Sequence, residues 1–242
     1  MKILLAAAEN RDGDPAFNLT QIRRVFEDSR QSKPDLICFG ESFLQGFEGL
    51  TWEYAEDLIR ARTVESPEIR QLSALAAQMR CALSLGFIER DGGLLYSTNL
   101  VLRQDGAIAD RFRRVSPGWK EPAASPEYRE GTGFHTFSLC GKTLTAAVCG
   151  DLWDDAFLEE MEQTDADAVL WPVYVDFSTA VWQDSERRTY ARRTAAIPCP
   201  VLLINSFVDL PDRANGGCVV FHRGQVLCEL PMGRPGVLEF TL

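Results

Sequence analysis

Several stretches of this chain are apolar at nearly every position instead of alternating with polar residues. Such runs mark strands buried on both sides. Residues 2–8, 35–39, 144–149, 168–173 and 201–207 have this form, the second entered through Pro34. Between them lie segments with helical spacing. In 18–29, Leu19, Ile22, Val25 and Phe26 share a face, with Asn18 placed as a cap; 53–62, 66–80 and 155–163 follow the same period, as does the charged stretch 184–196. A βα pattern therefore opens and closes the chain.

The middle reads differently. Residues 81–89 and 94–103 are strand-like and separated by Asp91-Gly92-Gly93, a hairpin signal; Gln104-Asp105-Gly106 turns into a further strand, 107–115. Residues 134–139 and 142–149 form a second hairpin about Cys140-Gly141, and 218–222 with 226–230 a third about Arg223-Gly224. Residues 116–132, with three prolines, read as a long loop or lid. No repeat, low-complexity tract or linker interrupts the pattern. It implies one α/β domain over 1–242, with two sheets face to face and helices outside.

An apolar share of 45% in 242 residues supports a sizeable core. The net charge of −10 argues against nucleic acid or an anionic membrane surface as partner. Seven scattered cysteines with no CxxC pair point to a reducing, cytoplasmic setting. The first apolar run turns acidic before a signal-peptide core develops, and no run approaches membrane-spanning length.

The candidate chemistry lies at strand ends, where ligands gather in α/β sheets. The stretch LTAAVCGDLW places Cys149 at the end of a buried strand, followed by Gly150, which permits a sharp turn and offers an N–H to a reacting oxygen. The plain alternative is a buried, inert cysteine. Glu41 ends the strand 35–39 in the same manner. Neither His135 nor His222 sits at a strand end, so a Cys-His dyad is poorly supported. No metal-ligand spacing and no glycine-rich phosphate loop occurs, so no metal or cofactor is expected. A cysteine acting with carboxylates and a cation remains.

Taken in order, FGES around Glu41, the strand pair beginning at Asn99-Leu-Val-Leu, DRFRRVSP, AVCGDLW, Trp171-Pro172, an arginine-rich helix running into Leu-Ile-Asn205, and Gly216-Gly217 resemble the nitrilase, or carbon-nitrogen hydrolase, superfamily over nearly the whole chain. That resemblance implies a four-layer α/β/β/α sandwich with mixed sheets, usually dimeric, and a Cys-Glu-Lys triad often joined by a second glutamate. By position it makes Cys149 the nucleophile and Glu41 the general base. The family's lysine position holds Arg114; either Arg114 or Lys120 on the following loop would be the cation, or hydrolysis has been lost. Glu127, preferred over Glu121, would be the second glutamate, and Asp151 a structural residue. Gly150, Trp153 and Tyr174 are candidates for oxyanion or substrate contact, with Trp119, Phe177 and Trp182 as further aromatic residues near strand ends. The family's Glu-Asn after the arginine-rich helix is replaced by Thr194-Ala195-Ala196.

The implied activity is cleavage of a non-peptide C–N bond in a small linear amide, less readily a nitrile, through a cysteine thioester. The competing expectation is a catalytically impaired descendant that binds a small molecule or a protein partner. A cysteine hydrolase of doubly wound fold ranks third, because it would need an aspartate where Glu9-Asn10 stands.

Overall fold

The computed structural model describes residues 1–242. It contains two six-stranded sheets. The first has the order β12-β1-β2-β3-β4-β5 and the second β11-β10-β9-β8-β7-β6. In the first, β1 (Lys2–Ala7), β2 (Leu36–Cys38) and β3 (Ala82–Asp91) are parallel, while β4 (Leu94–Leu102), β5 (Ile108–Arg113) and the carboxy-terminal strand β12 (Gly236–Thr241) are added antiparallel. In the second, β7 (Lys142–Ala146), β8 (Ala168–Val173) and β9 (Val201–Asn205) are parallel, flanked by antiparallel β6 (Thr136–Leu139), β10 (Cys218–His222) and β11 (Gln225–Leu230).

The non-alternating runs have a direct cause. Along β1, Ile3, Leu5 and Ala7 enter the core between the sheets, while Leu4, Ala6 and Ala8 enter a second core under α1 (Pro15–Asp28) and α3 (Pro67–Met79). Along β9, Leu202 and Ile204 face the same inter-sheet core, and Val201 and Leu203 face a third core with Tyr190 and Ala191 of α6 (Arg187–Arg193). Helix, sheet, sheet and helix thus form four layers. A single doubly wound sheet, the third expectation, is excluded by this arrangement.

Some boundaries differ from the sequence reading. The first helix starts at Pro15, capped by Asp14, whose carboxylate accepts from Phe17 N–H at 3.0 Å. Asn18 is not the cap; it is buried inside the first turns and ties Arg11 and Leu44 backbone groups together. The second helix is shorter, α2 (Tyr54–Arg60), and α4 (Asp155–Glu162) lies close to expectation. The charged helix begins earlier, at α5 (Thr179–Val181), and reaches α6 through a π-helical stretch, Trp182–Glu186. The loop 116–132 contains a 3₁₀ turn at Pro117–Trp119 and a bridge from Tyr128 to Leu95.

The carboxyl ends of the two sheets meet on one side. Glu41 N–H donates to the Val173 carbonyl at 3.3 Å, and Phe207 N–H to Ala8 at 3.0 Å. This junction brings residues from β2, β5, β7 and β8 within reach of one another.

Candidate active site

Glu41 follows β2 in a turn with Ser42 at φ 49°. The turn lies so close to β3 that a Cβ on Gly86 would sit less than 3.0 Å from the Gly40 carbonyl and the Ser42 N–H. Glu41 is 1% exposed. Its Oε1 accepts from Ser97 Oγ at 3.0 Å and from Arg114 Nη1 at 2.9 Å, while Oε2 is buried without a hydrogen-bond donor.

Arg114 stands one residue beyond β5, with its N–H on the Ser97 carbonyl at 2.8 Å. Its side chain is buried, and Nε donates to Ser116 Oγ at 2.8 Å. Nη1 is committed to Glu41, so Nη2 is the nitrogen without a protein acceptor, and it lies against Gly150. Burial opposes the guanidinium charge, but the Glu41, Cys149 and Asp151 charges outweigh it and hold Arg114 above its ordinary value.

Cys149 lies three residues past the end of β7 and opens a 3₁₀ turn, Cys149–Trp153. The sharp change of direction falls on Cys149 itself, at φ 44°, whereas Gly150 is not among the residues of positive φ. The turn is held by buried Asp151. Its Oδ2 accepts from Val148 N–H at 2.8 Å, and its Oδ1 from Val115 at 3.1 Å and Ser116 at 2.8 Å. One carboxylate therefore fixes the thiol turn to the segment that follows Arg114. Cys149 Sγ is 3.9 Å from the Tyr174 carbonyl, and the Cys149 carbonyl accepts from Trp171 Nε1 at 2.9 Å. Burial, then the Glu41 charge, pushes the thiol up to about 12 against the opposing pull of Arg114.

Glu41, Arg114, Cys149 and Gly150 thus come together, and other residues singled out from sequence do not join them. Lys120 donates to the Tyr128 carbonyl at 3.2 Å and ion-pairs with Glu130, so its ammonium is held within the loop. Glu121 is exposed. Glu127 accepts through its backbone carbonyl from Leu95 N–H at 2.9 Å, and its side chain makes no hydrogen bond to Glu41, Arg114 or Cys149. Trp153 is 39% exposed and packs edge-on against Tyr190. Tyr174 approaches the thiol through its carbonyl, its ring stacking on Phe47 at 4.7 Å. Trp119 packs beside Tyr128 in a cluster with Ala61, Ile88 and Leu95, Trp182 packs under Tyr190, and Phe177 also meets Tyr190. His135 bonds Asp110 away from the thiol. The sequence reading missed Ser97 and Ser116. Ser116 was detectable as a hydroxyl two residues after the arginine, but Ser97 had no local signal. No group of three or more His, Cys, Asp or Glu side chains is arranged to hold a metal ion.

This is a buried thiol, carboxylate and guanidinium at the junction of two sheets in an α/β/β/α sandwich. The carbon-nitrogen hydrolase family profile matches residues 5–242, and the chain belongs to that family, within the nitrilase superfamily. It is 26% identical over 170 residues to an (R)-stereoselective amidase of a Pseudomonas species, covering 70% of this chain and 59% of the relative. To an aliphatic nitrilase of Rhodococcus rhodochrous it is 28% identical over 133 residues, 50% of this chain and 35% of that protein. The chain therefore spans about a third to three fifths of these curated relatives. The amidase of Nesterenkonia sp. AN1, solved with acrylamide added at its active-site cysteine, superposes with a TM-score of 0.82 at 19% identity, covering 100% of this chain and 93% of that one.

Proposed function

We propose that this protein hydrolyses a small linear carboxamide through a Cys149 thioester. The observation that carries the reading is the convergence of Cys149, Glu41 and Arg114. Glu41 is held by Ser97 and Arg114 through Oε1 and keeps Oε2 without a donor. The raised thiol is neutral at physiological pH, so attack requires a base, and Oε2 is the oxygen that receives the proton. Sulfur adds to the carbonyl carbon, and the carbonyl π electrons pass to oxygen. Arg114 Nη2 and the Gly150 N–H stabilise that oxyanion. Collapse breaks the C–N bond, Glu41 returns its proton to the leaving amine, and the thioester remains. Water, deprotonated by Glu41, then attacks the thioester; collapse breaks the C–S bond, and Glu41 returns the proton to sulfur as the acid leaves and the thiol is restored. The amidase and nitrilase relatives support C–N chemistry at this site.

The test is intact mass and ammonia release from the wild type, Cys149→Ala and Glu41→Gln, each incubated with small amides and nitriles. A single acyl adduct on the wild type, absent in Cys149→Ala and slower to form in Glu41→Gln, is the expected result. No adduct and no ammonia across the panel overturns it. The buried Arg114–Glu41 ion pair favours one second reading, a pocket that binds without turnover. Ligand-induced stabilisation that survives Cys149→Ala, with no turnover by the wild type, would favour that reading.

A further inference from the structure

Gly150 has no conformational need to be glycine, because its φ is not positive and alanine could adopt its backbone. The space beside it explains the residue. A Cβ there would fall less than 3.0 Å from Arg114 Nη2, 3.3 Å from its Cζ and 3.1 Å from Ser116 Oγ. The guanidinium occupies the volume that any side chain at 150 would need. Its plane is fixed at two further points, Nε on Ser116 Oγ at 2.8 Å and Nη1 on Glu41 Oε1 at 2.9 Å. Ser116 is fixed in turn through its backbone N–H on Asp151, the residue after Gly150.

We propose that Gly150 and Ser116 are positioning residues for Arg114: the missing Cβ and the serine hydroxyl together seat a guanidinium, which is larger and flatter than an ammonium, with Nη2 against Gly150, the residue that follows Cys149. An arginine cannot fill a lysine's place without such accommodation. The two features make the arginine at this position part of the site's construction. The inference rests on the hydrolase reading for its purpose, though its geometry can be tested without turnover.

The experiment is a double-mutant cycle over Gly150→Ala and Arg114→Lys, with Ser116→Ala alongside. Its readouts are the alkylation rate of Cys149 by iodoacetamide at fixed pH, followed on the Cys149 peptide by mass spectrometry, and the melting temperature. Displacing a cation from beside a thiol raises the thiol's pKa by one unit or more, so Gly150→Ala and Ser116→Ala each slow alkylation about tenfold or more. In the Arg114→Lys background, where no fork meets the new methyl and only the Ser116 Oγ contact at 3.1 Å remains, adding Gly150→Ala lowers rate and melting temperature by clearly less than it does in the wild type. Equal losses from Gly150→Ala in both backgrounds overturn the proposal, as does a melting-temperature coupling with no change in alkylation, which would mean packing alone. Failure of the hydrolase reading is seen separately, as absence of an acyl adduct from amides on the wild type, and leaves the alkylation cycle readable.

Discussion

Asp151 accepts three backbone N–H groups with two oxygens, and each bond has a different owner: Val148 before the thiol, Val115 and Ser116 after the arginine. Asp151→Asn preserves size but replaces one oxygen with a donor. Whichever way the amide turns, at least one buried N–H then faces NH₂, and an unsatisfied buried donor costs about 1–3 kcal/mol. Urea denaturation is expected to show a loss of that size, with slower Cys149 alkylation as the turn and Arg114 lose their shared anchor. A variant as stable and as reactive as the wild type would show that the carboxylate does not hold the turn. The structural role of Asp151 was visible in the sequence because it directly follows a turn. Its partners 115 and 116 were not, since nothing local connects residues 36 and 35 positions apart.

Besides its backbone bridge to Leu95, the loop 116–132 is tied down by a buried side-chain hydrogen bond. Tyr128 Oη donates to Asp57 Oδ2 at 2.7 Å, and Asp57 also receives the Thr51 and Trp52 N–H groups and the Thr51 hydroxyl. Trp119 and Trp52 close around Tyr128, with ring centroids 5.4–6.1 Å apart. Tyr128→Phe keeps the packing and removes the bond. A hydrogen bond to a charged group contributes about 1.5–3 kcal/mol, so the loop is expected to become more protease-sensitive, with a stability loss toward the lower end of that range. Unchanged proteolysis between 117 and 131 would mean that the aromatic packing alone seats it. Three prolines marked this segment as irregular in the sequence, but its docking partner was hidden, because nothing local links Tyr128 to Asp57, 71 residues away. Helix starts were legible only to within a turn for a related reason. Asn18 and Asp14 are both good caps in isolation, and the tertiary bonds to Arg11 and Leu44 decide between them.

At the scale of the molecule, the unbroken apolar runs were the informative feature, since only a strand covered on both faces leaves them, and the two sheets share one sealed core. That core contains two thiols, Cys38 from the first sheet and Cys218 from the second, both fully buried. Burial pushes Cys38 well above the ordinary thiol value of 9.0, and Cys218 from 9.0 to about 12. The sign of the resulting pH dependence follows from linkage. Below pH 9.0 both folded and unfolded chains carry neutral thiols, so these residues contribute no slope. As pH rises from 9.0 toward about 12, the unfolded chain ionises at Cys218 while the folded one cannot, and stability falls through that window by up to about 1.4 kcal/mol per pH unit for each such thiol. Cys218→Ala removes one of them. Its stability below pH 9.0 is expected to be lower, because a buried sulfur is lost, but its alkaline slope is shallower by about the share of one thiol. Urea denaturation of the wild type and variant at a series of pH values above 9.0 measures both terms. Parallel alkaline slopes would show that water reaches Cys218 and that the two sheets do not seal the core between them.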